Sequence, residues 1–374
     1  MRIAYFTESL LPHVDGVSLT LARLFDTLVD EGIDFRVFSP FVPGPEVPWA
    51  DRVRKVPYVR FPLYPDYRVA LPTFGVGRAL DDFRADLVHT VSPTPLAYRA
   101  VTAAHRRGIP AVASFHTHFV SYFRYYRVRP LEAAGWRILR HFYGRCDAVF
   151  APSRAMIHEL DRNGIRGVRL WSRGIDPVRF NPGRRSEALR KGIPGEGPIV
   201  LFGGRLVREK DLDDLVVMSE ILRRRGDPFR LALVGDGPMR GELESRLPNA
   251  CFAGHLEGTE LAAWYASADI FVFPSTTETF GNVVLEAMAS GTPPVVVDRG
   301  GVMDLVEDSR TGRVTPANHP ENLAGAVGEL LHDEARRARM GSAARETAAE
   351  RSWAAINRAL VEEYRRLVEA AAEP

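Results

Sequence analysis

Short apolar runs alternate along the chain with stretches whose apolar residues fall three and four apart, the period of one helix face. Residues 3–7 predict a first strand, and Leu21, Leu24, Phe25, Leu28 and Val29 predict the helix that follows it. Further strands are expected at 35–39, 86–92, 111–117 and 147–153. A second series is expected at 198–204, 229–235, 250–254, 269–274 and 294–298. Strands this apolar, separated by helices, predict two parallel, doubly wound sheets. Between the two series, residues 168–182 and the Gly-, Pro- and charge-rich residues 183–197 read as a linker. At the end of the chain, Trp353, Ile356, Leu360, Val361, Tyr364, Leu367 and Val368 form one stripe of a helix that could dock on either half.

Composition narrows the class. A chain of 374 residues is comfortable as two domains. Its 45% hydrophobic and 26% charged residues are those of a soluble globular protein. A net charge of +2 gives no reason to expect nucleic acid as a partner. Cys146 and Cys251 form no metal-spaced pair, so stability does not rest on disulfides, which fits a reducing cytoplasm. The first residues read as a strand and not as a signal peptide, and no apolar run approaches the ~18 residues of a membrane span. Membrane contact is therefore expected to be peripheral. One stretch, residues 116–145, mixes Phe119, Tyr122, Phe123, Tyr125, Tyr126, Trp136, Phe142 and Tyr143 with Arg124, Arg127, Arg129, Arg137, Arg140 and Arg145. It reads either as a core helix with a solvated basic face, or as an acceptor groove or interfacial patch near anionic lipid.

Candidate chemistry concentrates in the second half. Glu278 and Glu286 stand eight residues apart. An apolar strand at 270–273 feeds a polar turn carrying Glu278, and a helix is expected to open near Gly281 and Asn282, with Glu286 about one turn in. Helix N-terminal amides favour anions, so two separated carboxylates beside them suit a sugar nucleotide, with hydroxyls at both ends and a diphosphate between. Residues 203–211 (GGRLVREKD) follow a strand and turn at glycines. There Arg205 as a fork and Lys210 as a point charge could grip a diphosphate, or the segment is an ordinary charged loop. Residues 234–238 (VGDGP) read as a tight strand-to-helix turn, not a dinucleotide fingerprint. Gly16 could lend its N–H to a phosphate, while Asp15 or Ser18 reads as a plain N-cap. His116 and His118 alternate on an extended segment and point to opposite sides, so one histidine at a strand end is favoured over a metal pair. The acidic residues Asp211, Asp213 and Asp214 fall where a helix should start and read as capping. There is no Walker-type loop to suggest an ATPase.

Taken together, residues 203–211, 234–238 and 278–286 (ETFGNVVLE), with residues 15–18 (DGVS), 114–118 (SFHTH) and 172–180 (SRGIDPVRF) of the first half, resemble the family 4 retaining glycosyltransferases. A narrower likeness, in residues 61–72 and 115–126, is to a subgroup of GDP-mannose-dependent α-mannosyltransferases and sulfoquinovosyl-lipid synthases. The resemblance implies an α/β chain of the GT-B fold: two doubly wound Rossmann-like parallel-sheet domains facing a cleft. Residues 1–172, joined by a C-terminal helix at 352–374, would form the acceptor side, and residues 173–351 the nucleotide-sugar side. It implies roles as well. Arg205 and Lys210 would hold the donor diphosphate, approached by Gly16 from the other domain. Glu278 would bind the sugar's hydroxyls, helped by the backbone of Thr279, Phe280, Gly281 and Asn282. Glu286 would bind the ribose, His255 and Leu256 would meet the base, and His116 would line the reacting sugar.

The expected reaction is retaining, metal-independent transfer of a hexose from GDP-mannose or a UDP-sugar to a lipid or glycan hydroxyl. It would run in the cytoplasm or at the inner face of the membrane, without cofactor or nucleic acid. Closure about residues 174–182 would exclude water. The alternatives are a sugar-nucleotide epimerase or hydrolase on the same fold, and a non-catalytic sugar-nucleotide sensor.

Overall fold

The computed structural model describes residues 1–61, 64–71, 75–118, 120 and 130–372. The chain forms two compact units, Met1–Arg173 with Trp353–Pro374, and Gly174–Ser352.

The first unit is built on β1 (Arg2–Phe6), α1 (Gly16–Asp30), β2 (Asp34–Ser39), β3 (Val53–Lys55), β4 (Tyr58–Phe61), β5 (Tyr64–Ala70), α2 (Val76–Phe83), β6 (Leu87–Thr90), α3 (Pro95–His105), β7 (Ala111–Ser114), α4 (Pro130–Tyr143), β8 (Ala148–Ala151), α5 (Arg154–Arg162) and β9 (Val168–Leu170). Seven strands lie in the order β3-β2-β1-β6-β7-β8-β9, and β4 and β5 form a separate antiparallel pair. Every pairing in the seven-stranded sheet is parallel. That is why β6, β7 and β8 are buried along their whole length; β7 and β8 are almost wholly apolar, while β6 buries His89 and Thr90 as well.

The second unit continues with α6 (Glu187–Gly192), β10 (Ile199–Gly203), α7 (Leu212–Arg225), β11 (Arg230–Val234), α8 (Arg240–Arg246), β12 (Cys251–Gly254), α9 (Gly258–Ser267), β13 (Ile270–Phe273), α10 (Asn282–Ala289), β14 (Pro294–Val297), β15 (Arg313–Thr315), α11 (Pro320–His332) and α12 (Glu334–Ala349). Its sheet runs β12-β11-β10-β13-β14-β15, again all parallel. Ile175 forms a β-bridge with Ser352, and its N–H bonds the Arg351 carbonyl at 3.0 Å. The points where the chain enters and leaves this unit are thus held side by side.

The last helix, α13 (Trp353–Ala372), belongs to the first unit. Leu360, Val361 and Tyr364 are buried in one cluster with Leu21, Leu24, Phe25 and Leu28 of α1. Asn357, fully buried, donates to the Arg23 carbonyl and to Thr27 Oγ1 of α1, both at 3.0 Å.

Two expectations need correction. Val168–Leu170 is not linker: it is strand β9, paired with β8, and its partly exposed edge position explains why its sequence lacks a strong apolar signal. The strands β3, β4, β5 and β15 were not foreseen: β3 and β15 are short, partly solvated edge strands, and β4 and β5 pair with each other apart from the large sheet. In the aromatic stretch, Trp136, Leu139, Phe142 and Tyr143 of α4 are buried while Arg137 and Arg140 are exposed, a core helix with a basic outer face. Phe119, Tyr122, Phe123, Arg124, Tyr125, Tyr126, Arg127 and Arg129 lie outside the described residues, as do residues 62, 63 and 72 of the 61–72 segment.

Candidate functional site

In the second unit β10 is flanked by β11 on one side and β13 on the other. Successive strands are laid outward from it in opposite directions. Open α/β sheets bind ligands at the carboxyl ends of strands where the order reverses. The segments after β10 and β13 meet there, and they carry Arg205, Lys210 and Glu278.

Glycines let these segments come close. The Gly204 N–H bonds the Val234 carbonyl at 2.9 Å, and the Leu206 N–H bonds the Asp236 carbonyl at 2.9 Å. A Cβ on Gly235 would lie 1.9 Å from the Gly204 carbonyl oxygen, and one on Gly237 would lie 2.5 Å from that of Leu206. The two glycines after β11 are therefore required by the backbone crossing over them. Beyond them, a 3-10 turn at Arg208–Lys210 is tied to the loop after β13. Thr277 Oγ1 donates to the Glu209 carbonyl at 2.8 Å. The Thr276 N–H and hydroxyl both donate to Asp211 Oδ2 at 2.8 Å. As expected from sequence, Asp211 stands at the N-cap of α7 with Asp213 and Asp214 in its first turn, but the Asp211 side chain makes no cap bond, because its carboxylate is engaged by Thr276.

This lacing brings Lys210 Nζ onto Glu278 Oε1 as an ion pair, across 68 residues of sequence. The two side chains are 18% and 15% exposed, so solvent screens the pair only partly. Lys210 also lies over the Phe273 ring, 5.7 Å from its centre. Arg205 is 65% exposed, and among the described residues its one ion pair is to Glu209, at 3.8 Å. Its fork is therefore largely unspent. Glu209 was not foreseen from sequence. It is buried, and its Oε2 has no hydrogen-bond partner among the described residues.

The helix expected near Asn282 is α10. Its N-cap residue Gly281 sits at φ +98° and has no side chain with which to cap the first-turn amides. A Cβ on Gly281 would meet Val302 at 2.7 Å. The loop after β14 closes over the same segment: the Gly301 N–H bonds the Glu278 carbonyl at 2.7 Å, and Phe280 is buried. Glu286, on the second turn of α10, lies beside Tyr265 and is reached by the charge of Arg179. Burial pushes its carboxyl up to about 7, against the opposing effects of Tyr265 and Arg179. His255 and Leu256 follow β12, the edge strand. His255 is exposed and pairs with Glu257 at 2.9 Å, and Leu256 packs on the core.

The first unit holds a second constellation. Gly16 opens α1, and Asp15 caps that helix in a capping box with Ser18. Asp15 accepts from the Val17 and Ser18 amides and from Ser9 Oγ. Burial alone would raise its carboxyl, but these bonds and His13 hold it below the usual carboxylate range.

His116 is buried, and both its ring nitrogens are engaged. Arg173 Nη2 donates to Nδ1 at 2.7 Å. Nδ1 must therefore accept, so the proton of the neutral ring sits on Nε2 and points to Ser114 Oγ, 2.8 Å away. The Ser114 hydroxyl then donates to His89 Nε2 at 3.0 Å, and His89 Nδ1–H donates to Tyr364 Oη at 2.6 Å. One guanidinium thus sets two tautomers and the direction of a chain ending on the C-terminal helix. Burial pushes His89 down to about 3 and, with the charge of Arg173, holds His116 well below the usual imidazole range. Both rings are neutral. A ligand cannot take a ring nitrogen of His116 without breaking one of these bonds. Arg173 itself is buried over the Trp171 ring and bonds the Trp171 and Ser172 carbonyls; burial pushes it down to about 9, still charged at neutral pH. His118 turns instead to Glu159, at 3.8 Å. Among the described residues no group of three or more acidic, histidine or cysteine side chains is placed to hold a metal ion.

Comparison with known proteins gives a consistent result. A model described as glycosyl transferases group 1 matches residues 184–347, and one described as Glycosyltransferase Family 4 matches residues 14–179. The chain is similar to the GDP-mannose-dependent alpha-mannosyltransferase of Mycobacterium tuberculosis, with 38% identity over 97% of this chain and 96% of that protein. It is similar also to a sulfoquinovosyl transferase of Arabidopsis thaliana, with 36% identity over 95% of this chain and 71% of that one. Among solved structures, sucrose-phosphate synthase from Thermosynechococcus elongatus superposes with a TM-score of 0.77 at 22% identity, covering 99% of each chain. HepE of Anabaena in complex with UDP-glucose superposes at 0.76 and 21% identity, covering 97% of this chain and 99% of that one. Both likenesses concern the fold.

Proposed function

From the premise that this chain belongs to the family 4 glycosyltransferases, we propose that it moves a hexose, with retention, from a nucleotide-diphosphate sugar to a hydroxyl of a lipid or glycan. The chain is a glycosyltransferase of the GT-B fold. The donor comes to it from its relatives, among them GDP-mannose-dependent mannosyltransferases and a sulfoquinovosyl transferase. GDP-mannose is the first donor to test and UDP-hexoses the second.

The observation that carries the reading is the juxtaposition of Lys210, Glu278 and the uncapped start of α10 at the switch point of the second sheet, with Arg205 at the end of β10. Transfer requires a diphosphate to leave while positive charge grows at the anomeric carbon. Fixed cations and amides aimed at the leaving group stabilise that charge. In this reading Arg205, Lys210 and the first turn of α10 hold the diphosphate. Glu278, with the backbone of Thr279 to Asn282, orients the sugar, and Glu286 takes the ribose. His255 and Leu256 border the base. In the first unit Gly16 offers its amide to the diphosphate, and His116 shapes the sugar's surroundings through a ring whose nitrogens are already bonded.

The protein cations supply the electrostatic work often given to a divalent ion, so transfer proceeds without metal. Activity unchanged by EDTA is the expected result, and loss restored by magnesium would overturn it. No described helix is long and apolar enough to cross a membrane. For a lipid acceptor, peripheral contact through the outer face of α4, where Arg137, Ile138 and Arg140 are exposed, fits an interfacial helix. Product analysis with GDP-mannose and UDP-hexoses tests the whole reading: sugar appearing on acceptor supports it, and donor consumed without acceptor product contradicts it.

A further inference from the structure

Glu8 stands at the carboxyl end of β1, in the segment that leads to α1. In the first sheet β1 lies between β2 and β6, so this is the point where the strand order reverses, the place where such sheets bind ligands. Its neighbours are occupied with one another. Thr7 Oγ1 donates to the Ser9 carbonyl at 2.8 Å and accepts from the Ser9 N–H at 3.1 Å, and Ser9 Oγ donates to Asp15 at 2.7 Å. Glu8 is the exception. It is 2% exposed, and its Oε1 has no hydrogen-bond partner among the described residues. Burial pushes its carboxyl up to about 7, only partly offset by the Thr94 hydroxyl, at the cap of α3, and by its own amide.

A buried carboxyl oxygen without a partner weakens a fold, and its persistence calls for a compensating role. The chemistry of the atom limits the ligand. An acid oxygen repels phosphate and sulfonate, and a lone carboxylate does not make a metal site. It accepts a hydrogen from N–H or O–H donors, and of these a carbohydrate or polyol substrate brings hydroxyls.

We propose that Glu8 Oε1 receives a hydroxyl of the carbohydrate or polyol substrate, making the end of β1 a hydroxyl subsite of the first unit. This rests on the glycosyl-transfer reading and adds to it a residue that neither sequence motif nor relative assigns. Glu8 is a binding residue here; no proton transfer is required of it.

The test compares wild type, Glu8→Gln and Glu8→Leu, using GDP-mannose and UDP-glucose as donors and methyl α-mannoside and diacylglycerol vesicles as acceptors. Leucine removes the acceptor atom and glutamine keeps it. In Glu8→Leu the KM of one substrate should rise at least tenfold, with Glu8→Gln restoring most of it. A rise confined to the acceptor assigns the hydroxyl to the acceptor, and a rise confined to the donor assigns it to the donor sugar. Melting at pH 7.5 separates a structural role: relief of an unsatisfied buried acid should leave the melting temperature of Glu8→Leu equal to or above wild type. Unchanged KM values, or a melting temperature that falls in both variants, overturn the proposal while leaving glycosyl transfer intact. A wild type that forms no product with any of these pairs overturns both.

Discussion

Lys210 and Glu278 neutralise each other, yet the proposed reaction gives them different partners, a diphosphate and a sugar. The ion pair must therefore yield when a diphosphate arrives, and that makes a prediction of sign. Lys210→Ala removes one charged hydrogen bond to the diphosphate, worth roughly 1.5–3 kcal/mol. At about 1.4 kcal/mol per tenfold, GDP or UDP should bind roughly 10- to 150-fold more weakly. Glu278→Gln keeps the shape but removes the carboxylate that competes for Lys210. Partly exposed ion pairs contribute about 1 kcal/mol or less, so the bare nucleotide diphosphate should bind up to about 5-fold more tightly, even though transfer falls steeply for want of the sugar contact. Isothermal titration of both variants with the same sugar-free nucleotide reads this directly, at low and at high salt, since screening should shrink the gain. Weaker nucleotide binding in Glu278→Gln, comparable to the loss in Lys210→Ala, would refute the competition and leave the pair as a structural unit.

Three other outcomes follow from the geometry. Tyr364→Phe removes the acceptor 2.6 Å from the buried His89 Nδ1–H, so stability should fall by roughly 1–3 kcal/mol; thermal melting reads the loss, and nitrogen-15 spectra should show His89 keeping its Nδ1–H tautomer, since Arg173 sets it from the other end of the chain, whereas a switch to the Nε2–H tautomer would break the chain drawn here. Gly235→Ala places a Cβ 1.9 Å from the Gly204 carbonyl, so the segment bearing Arg205 must shift; stability should drop by roughly 1–3 kcal/mol and nucleotide affinity with it, and a variant that melts and binds like wild type would contradict the crossing. Burial raises the carboxyl of Glu286 to about 7, above the ordinary glutamate range, so the folded state binds its proton more tightly than the unfolded state. Its contribution is full below that range and is lost as pH rises from it to about 7. Glu286→Gln should flatten the decline of melting temperature over that window, and an unaltered slope would show that another group sets it.

Much of the architecture was legible because the strands are buried on both faces. Runs such as residues 198–204 and 269–274 were read within a residue of β10 and β13, since a parallel sheet covered by helices tolerates no polar face. What escaped was what burial does not write into sequence. The edge strands β3, β9 and β15 are only partly buried, and β9 was hidden in a segment that reads as linker. At the site, the spacing of Glu278 and Glu286 and the start of α10 were visible, because the switch from strand to helix shows in the pattern. The pairing of Lys210 with Glu278 was not, because it depends on Thr276 and Thr277 lacing two loops together across the fold. Asp211 misled for the same reason: acidic residues at a helix start read as caps, and only the tertiary contact to Thr276 diverts this one. Glu8 and Glu209 gave no signal at all. A buried acid is recognised by what surrounds it, and nothing in the residues beside Glu8 marks it as unsatisfied.

The central claim is that Arg205, Lys210 and the first turn of α10 hold the donor's diphosphate. A crystal structure of the protein soaked with GDP-mannose, and separately with UDP-glucose, tests it most directly. The account predicts phosphate oxygens within hydrogen-bond distance of Arg205, Lys210 and the α10 amides, with the sugar against Glu278. Diphosphate density elsewhere, with the Lys210–Glu278 pair undisturbed, would contradict it.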